Sequence, residues 1–380
     1  MSGKRAPLRF LHCHSTFDAG GKELRSARLI NAFGPGITHH IVSGEPGALS
    51  ARSYILSSIP TQYPEDFPSL SGIPTPVRLH RIADAMRGYD LILTYNWGAM
   101  DAVMAHTMFS RSFGLPPLVH HEDGFNDDEA AGLKRSRNWY RRLALGRADA
   151  LVVPSRGLEA IARNVWLQPA DRVHRIANGI ATRAFTKQAR KDVLPGLIKR
   201  NGEFWVGTLA GLRKVKNLPR LVRAFAGLPE NWNLVILGEG PERAAIRDEA
   251  IRCNIVHRVH LPGFTEPAKV IRLFDIFALS SDSEQFPLSV VEAMAAGLPV
   301  AAPAVGEVAQ IVAEVNRPYI VAPGDEAALA AALERLAQDP GLRKALGAAN
   351  RERAQERFDE AGMIAAYSAL YGGVMGVESL

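Results

Sequence analysis

The chain has 380 residues, 47% hydrophobic and 22% charged, a globular composition long enough for two ordinary cores. No run of about 18 apolar residues occurs, which argues against a membrane-spanning helix. The formal charge of +6 lies in the first 183 residues, where 22 Lys and Arg face 16 Asp and Glu, and no nucleic-acid recognition motif accompanies it.

The opening, MSGKRAPLRFLHCH, contains no apolar stretch of secretory-signal length, and Cys13 and Cys253 suggest no disulfide framework. A cytoplasmic, reducing compartment is the simplest expectation. Strand-like runs follow at 8–13, 38–43, 90–95, 117–121 and 149–155. A polar, Lys/Arg-rich stretch at 184–202 then reads as a linker. Further strand-like runs stand at 203–210, 233–238, 258–263, 275–281 and 298–303, with helix-length segments at 98–110, 217–227, 241–252 and 288–296. From Asp325 the chain is Ala-rich and helical, and its run at 339–358 has the charge pattern of a solvated helix. This alternation predicts an α/β fold of two doubly wound, Rossmann-like lobes, residues 1–183 and 184–357, each a parallel sheet covered on both faces. Ligands are expected beyond the carboxyl ends of the strands, in a cleft between the lobes.

Lys134, Arg135, Arg137, Arg141, Arg142 and Arg147 form an acid-free basic cluster. It reads either as a solvated helix face or as a surface for anionic lipid or an anionic acceptor. Trp139, Tyr140 and Leu143 suit an interface or a core equally.

The segment 284–297, EQFPLSVVEAMAAG, carries the most chemistry. It reads as a loop entering a helix, with Pro287 in the first turn and Gly297 as the stop. Backbone amides of Phe286, Pro287, Leu288 and Ser289 then stand at a helix N-terminus, a place suited to a diphosphate. Glu284 on the loop and Glu292 on the helix are carboxylates able to accept hydrogen bonds from vicinal hydroxyls. Either alone would by default be a capping Glu or a surface helix Glu. No G-x-G-x-x-G follows the first strand, so the dinucleotide fingerprint is absent.

The E-x7-E spacing followed by AMAAGLPV resembles the signature of retaining GT-B glycosyltransferases, family 4 (glycosyl transferases group 1) in particular. Ala19–Gly20–Gly21, Val152–Val153–Pro154–Ser155, Asn178–Gly179–Ile180, Gly207–Thr208–Leu209 with Lys216–Asn217, and Leu237–Gly238–Glu239–Gly240–Pro241 resemble its further motifs in order. The resemblance implies an N-terminal acceptor lobe and a C-terminal donor lobe, with the final helix within 358–380 packing back on the first. Lys216, with Arg213 beside it, would neutralise the diphosphate of a UDP- or GDP-sugar as it leaves. Glu284 would contact the transferred sugar and Glu292 the ribose. Gly20 and Gly21 would let backbone approach the substrate, and the nucleobase would lie near 259–264, including Gly263. A fixed cation replaces a metal, and no Asp-x-Asp occurs, so neither metal nor other cofactor is expected. The acceptor would be a glycan or lipid-linked molecule, with peripheral contact at the inner face of an anionic membrane through Lys134–Arg147.

Two positions depart from the family pattern. Gly211 stands where members often carry Arg, leaving Arg213 or Lys214 to compensate. Asp123 precedes Gly124 where members usually carry His, so a hydroxyl contact would pass to Asp123, His120 or His121. The run His120–His121–Glu122–Asp123 also admits metal ligation, although alternating strand residues point to opposite faces. Asn96 and Trp97, at the end of a strand, are candidates to line an acceptor site, and His14 is a weaker one. The expected activity is retaining sugar transfer in polysaccharide or glycolipid biosynthesis. The alternatives are a nucleotide-sugar epimerase or hydrolase of the same fold, or a non-catalytic nucleotide-sugar binder.

Overall fold

In the computed structural model, residues 7–125, 129, 132–377 and 380 are described. Residues 1–6 of the opening segment and 378–379 of the expected final helix lie outside them. The chain divides into two compact units, Met1–Ala177 with Met363–Leu380, and Asn178–Gly362.

The first unit is built on a seven-stranded, wholly parallel sheet in the order β3-β2-β1-β4-β5-β6-β7. Its strands are β1 Leu8–His14, β2 Ile37–Ser43, β3 Thr61–Gln62, β4 Leu91–Tyr95, β5 Leu118–His121, β6 Ala150–Val153 and β7 Val173–Arg175. Alternate residues feed two separate cores, as the pleat requires. Leu11, Cys13, Ile92, Leu118, Leu151 and Val153 join one core. Phe10, Leu91, Leu93, Tyr95, Val119 and Val152 join the other, together with Met363, Tyr367 and Tyr371 of the last helix, Glu360–Met375. With both faces covered, the strands are buried over consecutive residues rather than at every second one. Helix starts follow local chemistry: Thr75 caps Pro76–Ala85 and Ser155 caps Arg156–Asn164, each side chain accepting a backbone N–H.

The second unit has a six-stranded parallel sheet in the order β10-β9-β8-β11-β12-β13. Here β8 is Phe204–Leu209, β9 Trp232–Leu237, β10 Val259–Gly263, β11 Ile276–Ala278, β12 Val300–Pro303 and β13 Ile320–Val321. Val206, Leu234, Ile236 and Ile276 pack against Leu221, Phe225, Leu329 and Leu333 of the covering helices. The strands β3, β7 and β13, two or three residues each at sheet edges, are too short to leave a periodic signal.

Three expectations are corrected. The change of unit falls at Ala177/Asn178 rather than at 183/184, ahead of the polar stretch 184–202, in which Leu194 and Leu197 form an isolated bridge. The helix Pro340–Arg357 is not solvated all round: Leu346, Gly347, Asn350 and Ala354 are buried, and Asn350 bonds Ala313 N–H and Leu298 C=O. Its Lys and Arg residues carry the charge pattern on the remaining faces. Most consequentially, the basic cluster splits in two on the helix Arg135–Ala144. Arg141 is completely buried, ringed by Trp97, Phe125 and Trp166 at 5.0–5.2 Å and bonded at 3.2 Å to Glu122 and to both oxygens of Glu129. Lys134, Arg135, Arg142 and Arg147 remain exposed. Trp139 and Leu143 also face outward, 61% and 59% exposed.

Candidate active site

In the second unit, the loops leaving the carboxyl ends of β8 and β11 are joined to each other. Asp282 N–H donates to Val215 C=O at 2.8 Å, the Ser280 hydroxyl to Lys216 C=O at 3.0 Å, and Arg220 to Ser280 C=O at 3.1 Å. Asn217, in the left-handed region at φ 43°, donates its side-chain amide to Asp282 at 3.1 Å. This lacing brings Lys216 Nζ to 2.6 Å from Glu284 Oε1, and the Ser281 hydroxyl donates to the same oxygen at 2.7 Å. Both charged side chains are largely covered, 16% and 11% exposed, so their attraction is less screened than at an open surface.

The Glu284 loop rests on a third one. At Gly306, φ +55°, a Cβ would stand 2.4 Å from Glu284 C=O and 2.7 Å from Gln285 C=O, and Glu307 N–H donates to Gln285 C=O. Only glycine allows that approach. The helix itself is Leu288–Ala295 with Pro287 as its N-cap, one residue earlier than the first-turn place expected. Pro287 has no N–H, so the amides offered there are those of Leu288 and Ser289, Val290 N–H being bonded to Pro287 C=O. Phe286 packs edge-on against Phe358 at 5.7 Å. Glu292 lies half-buried in the second turn. Arg213 is exposed, and its Nε lies 3.7 Å from where a Cβ on Gly211 would be, so its guanidinium covers the residue that lacks a side chain. Gly263, φ +93°, ends β10 with Glu239 Oε1 2.7 Å from its virtual Cβ.

In the first unit, register places His14, Tyr95 and His121 side by side at the carboxyl ends of β1, β4 and β5. Their rings stack, His14 on Tyr95 at 3.9 Å and Tyr95 on His121 at 4.6 Å. All three are buried. His121 is fully engaged, Nδ1 with Thr94 C=O at 3.1 Å and Nε2 with the Tyr371 hydroxyl at 2.8 Å. Burial, then the charge of Arg25, pushes its imidazole down to about 3. His120 points to the opposite face, its Nδ1 2.8 Å from the Thr94 hydroxyl. Neither histidine is therefore presented to a ligand, which corrects their place as cleft candidates. Trp97 is likewise drawn inward, against Arg137 at 4.8 Å, Arg141 at 5.0 Å and Tyr140 at 5.7 Å.

Asp123 behaves differently. Arg25, on the helix Gly21–Phe33, grips both its oxygens, the Nη2–Oδ2 bond measuring 2.8 Å. Asn96 accepts the Asp123 N–H at 2.8 Å while its own N–H donates to His121 C=O at 2.7 Å. Asn96 adopts φ 54°, ψ −173°, a costly conformation for a residue with a side chain. Burial alone would raise the Asp123 carboxyl, but Arg25, with His121 and Lys22, outweighs it and holds the group below the ordinary range. Gly20 is the N-cap of the same helix in extended backbone, and Gly21 is its first residue. Among the described residues no three His, Cys, Asp or Glu side chains gather as a metal would need. His120 and His121 both engage Thr94, Glu122 is bonded to Arg141 and Asp123 to Arg25.

Two family models cover more than half of the chain between them. The one described as "Glycosyl transferases group 1" matches residues 193–353, and the "Glycosyl transferase 4-like domain" matches 51–179. The chain belongs to the group 1 glycosyltransferases. This glycosyltransferase is 24% identical over 280 residues to the N-acetyl-alpha-D-glucosaminyl L-malate synthase of Bacillus anthracis, covering 73% of this chain and 72% of that one. It is 27% identical over 282 residues to the GDP-mannose-dependent alpha-mannosyltransferase of Mycolicibacterium smegmatis, covering 71% of each. Its fold is that of GT-B enzymes. The Anabaena protein HepE superposes with a TM-score of 0.81 at 20% identity over 96% of this chain and all of that one. Sucrose-phosphate synthase from Thermosynechococcus elongatus gives 0.75 at 22% identity, covering 97% and 99%.

Reading the glycosyltransferase by sequence missed Arg25, Ser281 and Gly306. Ser281 had a usable signal, three residues before Glu284 on one loop. Arg25 had none, being 98 positions from Asp123.

Proposed function

We propose that this glycosyltransferase moves a sugar from a nucleotide-sugar donor to a glycan or lipid-linked acceptor with retention of anomeric configuration. The second unit binds the donor and the first the acceptor. The observation that carries the reading is the Lys216–Glu284 pair at 2.6 Å beside the helix Leu288–Ala295. A diphosphate at this place would draw the Lys216 ammonium toward itself, leaving Glu284 to accept hydrogen bonds from sugar hydroxyls. As the glycosidic bond breaks, negative charge grows on the leaving phosphate, and Lys216, aided by Arg213 and the Leu288 and Ser289 amides, stabilises it. Glu292 takes the ribose hydroxyls. Positive charge comes from the protein, so the reading needs no metal, and EDTA-treated enzyme is expected to stay active. The leaving phosphate takes the acceptor's proton on the face it departs from, which preserves the anomeric configuration. Two similar proteins support a nucleotide-sugar donor: the Mycolicibacterium smegmatis mannosyltransferase is GDP-mannose-dependent, and HepE was solved with UDP-glucose.

Nucleotide release from a panel of UDP- and GDP-sugars, with and without lipid-linked acceptors, tests this. Turnover that requires acceptor and is lost in Lys216→Ala and Glu284→Ala supports transfer. Complete donor breakdown without acceptor indicates a hydrolase, and sugar inversion without nucleotide release an epimerase. No turnover with intact binding indicates a non-catalytic binder.

The exposed face of the helix Arg135–Ala144 supports contact with an anionic membrane. Arg135, Trp139, Arg142 and Leu143 share it at helical spacing, and Arg142 lies 5.1 Å over the Trp139 ring. Cation and indole together suit the headgroup region. No helix among the described residues is long and apolar enough to cross a membrane.

A further inference from the structure

We infer that Asp123 is a fixed, acceptor-only contact positioned by Arg25, so the sugar ring seated on the first unit's rim is selected for a hydroxyl and against a carboxylate. The inference rests on the reading of Asp123 as a sugar contact and extends it to the class of sugar.

The geometry is that of a clamp. Arg25 spends its fork on both carboxylate oxygens and is itself 5% exposed, against 14% for Asp123. What reaches the surface is therefore an oxygen lone pair, not a cation. Asn96 fixes the backbone of Asp123 from the β4 side. Glu122, the preceding residue, is tied to the buried Arg141 on the other face of the strand. A carboxylate held this way cannot rotate or take a proton to become a donor. A sugar hydroxyl meets an acceptor in place. A uronate carboxylate meets like charge, and Lys22, the second cation acting on Asp123, is already paired with Glu23 at 2.5 Å. Sites that are built to receive a hydroxyl discriminate strongly against ligands lacking it.

Among the described residues, the ionisable groups around the Asp123 carboxylate are Arg25 and Lys22 from the helix, His121 from β5, Tyr95 from β4, and Tyr367 and Tyr371 from the last helix. Among the described residues only Arg25 bonds the carboxylate oxygens directly, so Arg25 decides its ionisation. Removing that guanidinium leaves burial as the dominant influence, and burial raises a carboxyl.

The test uses the whole enzyme and paired probes: UDP-glucose with UDP-glucuronic acid, and GDP-mannose with GDP-mannuronic acid. A matching pair of neutral and uronate acceptor glycosides forms the second arm. We expect the neutral member of one pair to be favoured in kcat/KM by at least about tenfold. The arm that discriminates identifies whether the donor or the acceptor sugar meets Asp123. Asp123→Asn, which can donate as well as accept, is expected to narrow that gap at least about fivefold. Arg25→Met is expected to move the acidic limb of the pH–activity profile to higher pH, with Arg25→Lys restoring it in part. If Arg25→Met does not fold, the Asp123→Asn selectivity decides. Equal losses on neutral and uronate sugars, with an unmoved acidic limb in folded variants, would overturn the inference and leave the ion pair a purely structural tie. Absence of any sugar turnover in folded wild-type protein defeats the proposed function and this inference together, a pattern distinct from lost selectivity alone.

Discussion

Lys216 Nζ and Glu284 Oε1 stand 2.6 Å apart on two loops that are themselves hydrogen-bonded, so a cation and a carboxylate are held ready at one helix N-terminus. In the proposed reaction charge at this point serves catalysis more than folding, because the pair still reaches solvent and Glu284 keeps the Ser281 hydroxyl when Lys216 is removed. Lys216→Ala should therefore lower kcat by about 10²–10³-fold while shifting the thermal midpoint little. Steady-state kinetics beside a melting curve will read both. A variant that keeps more than a tenth of wild-type turnover would remove Lys216 from the mechanism.

Gly306 supports the Glu284 loop from beneath. Gly306→Ala sets a methyl group against two backbone carbonyls at a positive φ and should cost about 2 kcal/mol or more. Gly114→Ala has a similar φ, +59°, with nothing within 4 Å of the added carbon, and isolates the backbone strain alone. Denaturation midpoints should order wild type above Gly114→Ala above Gly306→Ala. Only Gly306→Ala should also lose turnover. Equal midpoints for the two variants would mean the loop moves aside freely.

The adjacent residues Arg141 and Arg142 should respond in opposite assays. Arg141→Met strands the buried Glu122 and Glu129 and should destabilise the protein by about 3–5 kcal/mol. Arg142→Gln, exposed on the outer face, should leave the melting temperature unchanged. Combined with Arg135→Gln and Trp139→Ala, it should abolish cosedimentation with phosphatidylglycerol vesicles at low salt. Unaltered sedimentation of that triple variant rejects the membrane reading.

Acid should unfold the first unit through its buried histidines. Burial, with His40 adding to it, lowers His39 to about 4, and burial, with Arg25, lowers His121 to about 3. In the unfolded chain both protonate near 6.5. Between those values and about 6.5 the unfolded state binds more protons, so stability rises with pH across that window. Below about pH 6.5 each group should remove about 1.4 kcal/mol per pH unit. Urea midpoints at pH 7, 6 and 5 give the slope, and a His121→Asn variant should flatten it. A flat wild-type profile would contradict the burial of these rings.

Much of the architecture is legible in the sequence because it is local. The apolar runs of β1, β4, β8 and β9 and the loop–helix segment at 284–297 declare themselves over ten or fifteen residues. Lys216 and Glu284 are recognisable for the same reason, each lying in a short motif after a strand. The first unit's site is harder to read. His120 and His121 look available in the sequence, yet cross-strand register consumes both, one against Thr94 and the other against Tyr371. Asp123 looks like a misplaced neighbour, yet it is the group that keeps an oxygen at the surface.

The sequence by itself determined the two parallel sheets, the family and the loop–helix motif at 284–297, because hydrophobic period, turn residues and motif spacing are properties of short stretches of chain. Tertiary structure alone decided which charges face inward. Arg141 and Arg142 are indistinguishable as letters, but a helix turns about 100° between them, sending one into an aromatic box and the other outward. Arg25 and Asp123 meet only because a helix following β1 packs beside the end of β5. No spacing rule encodes a contact made across the intervening strand β4.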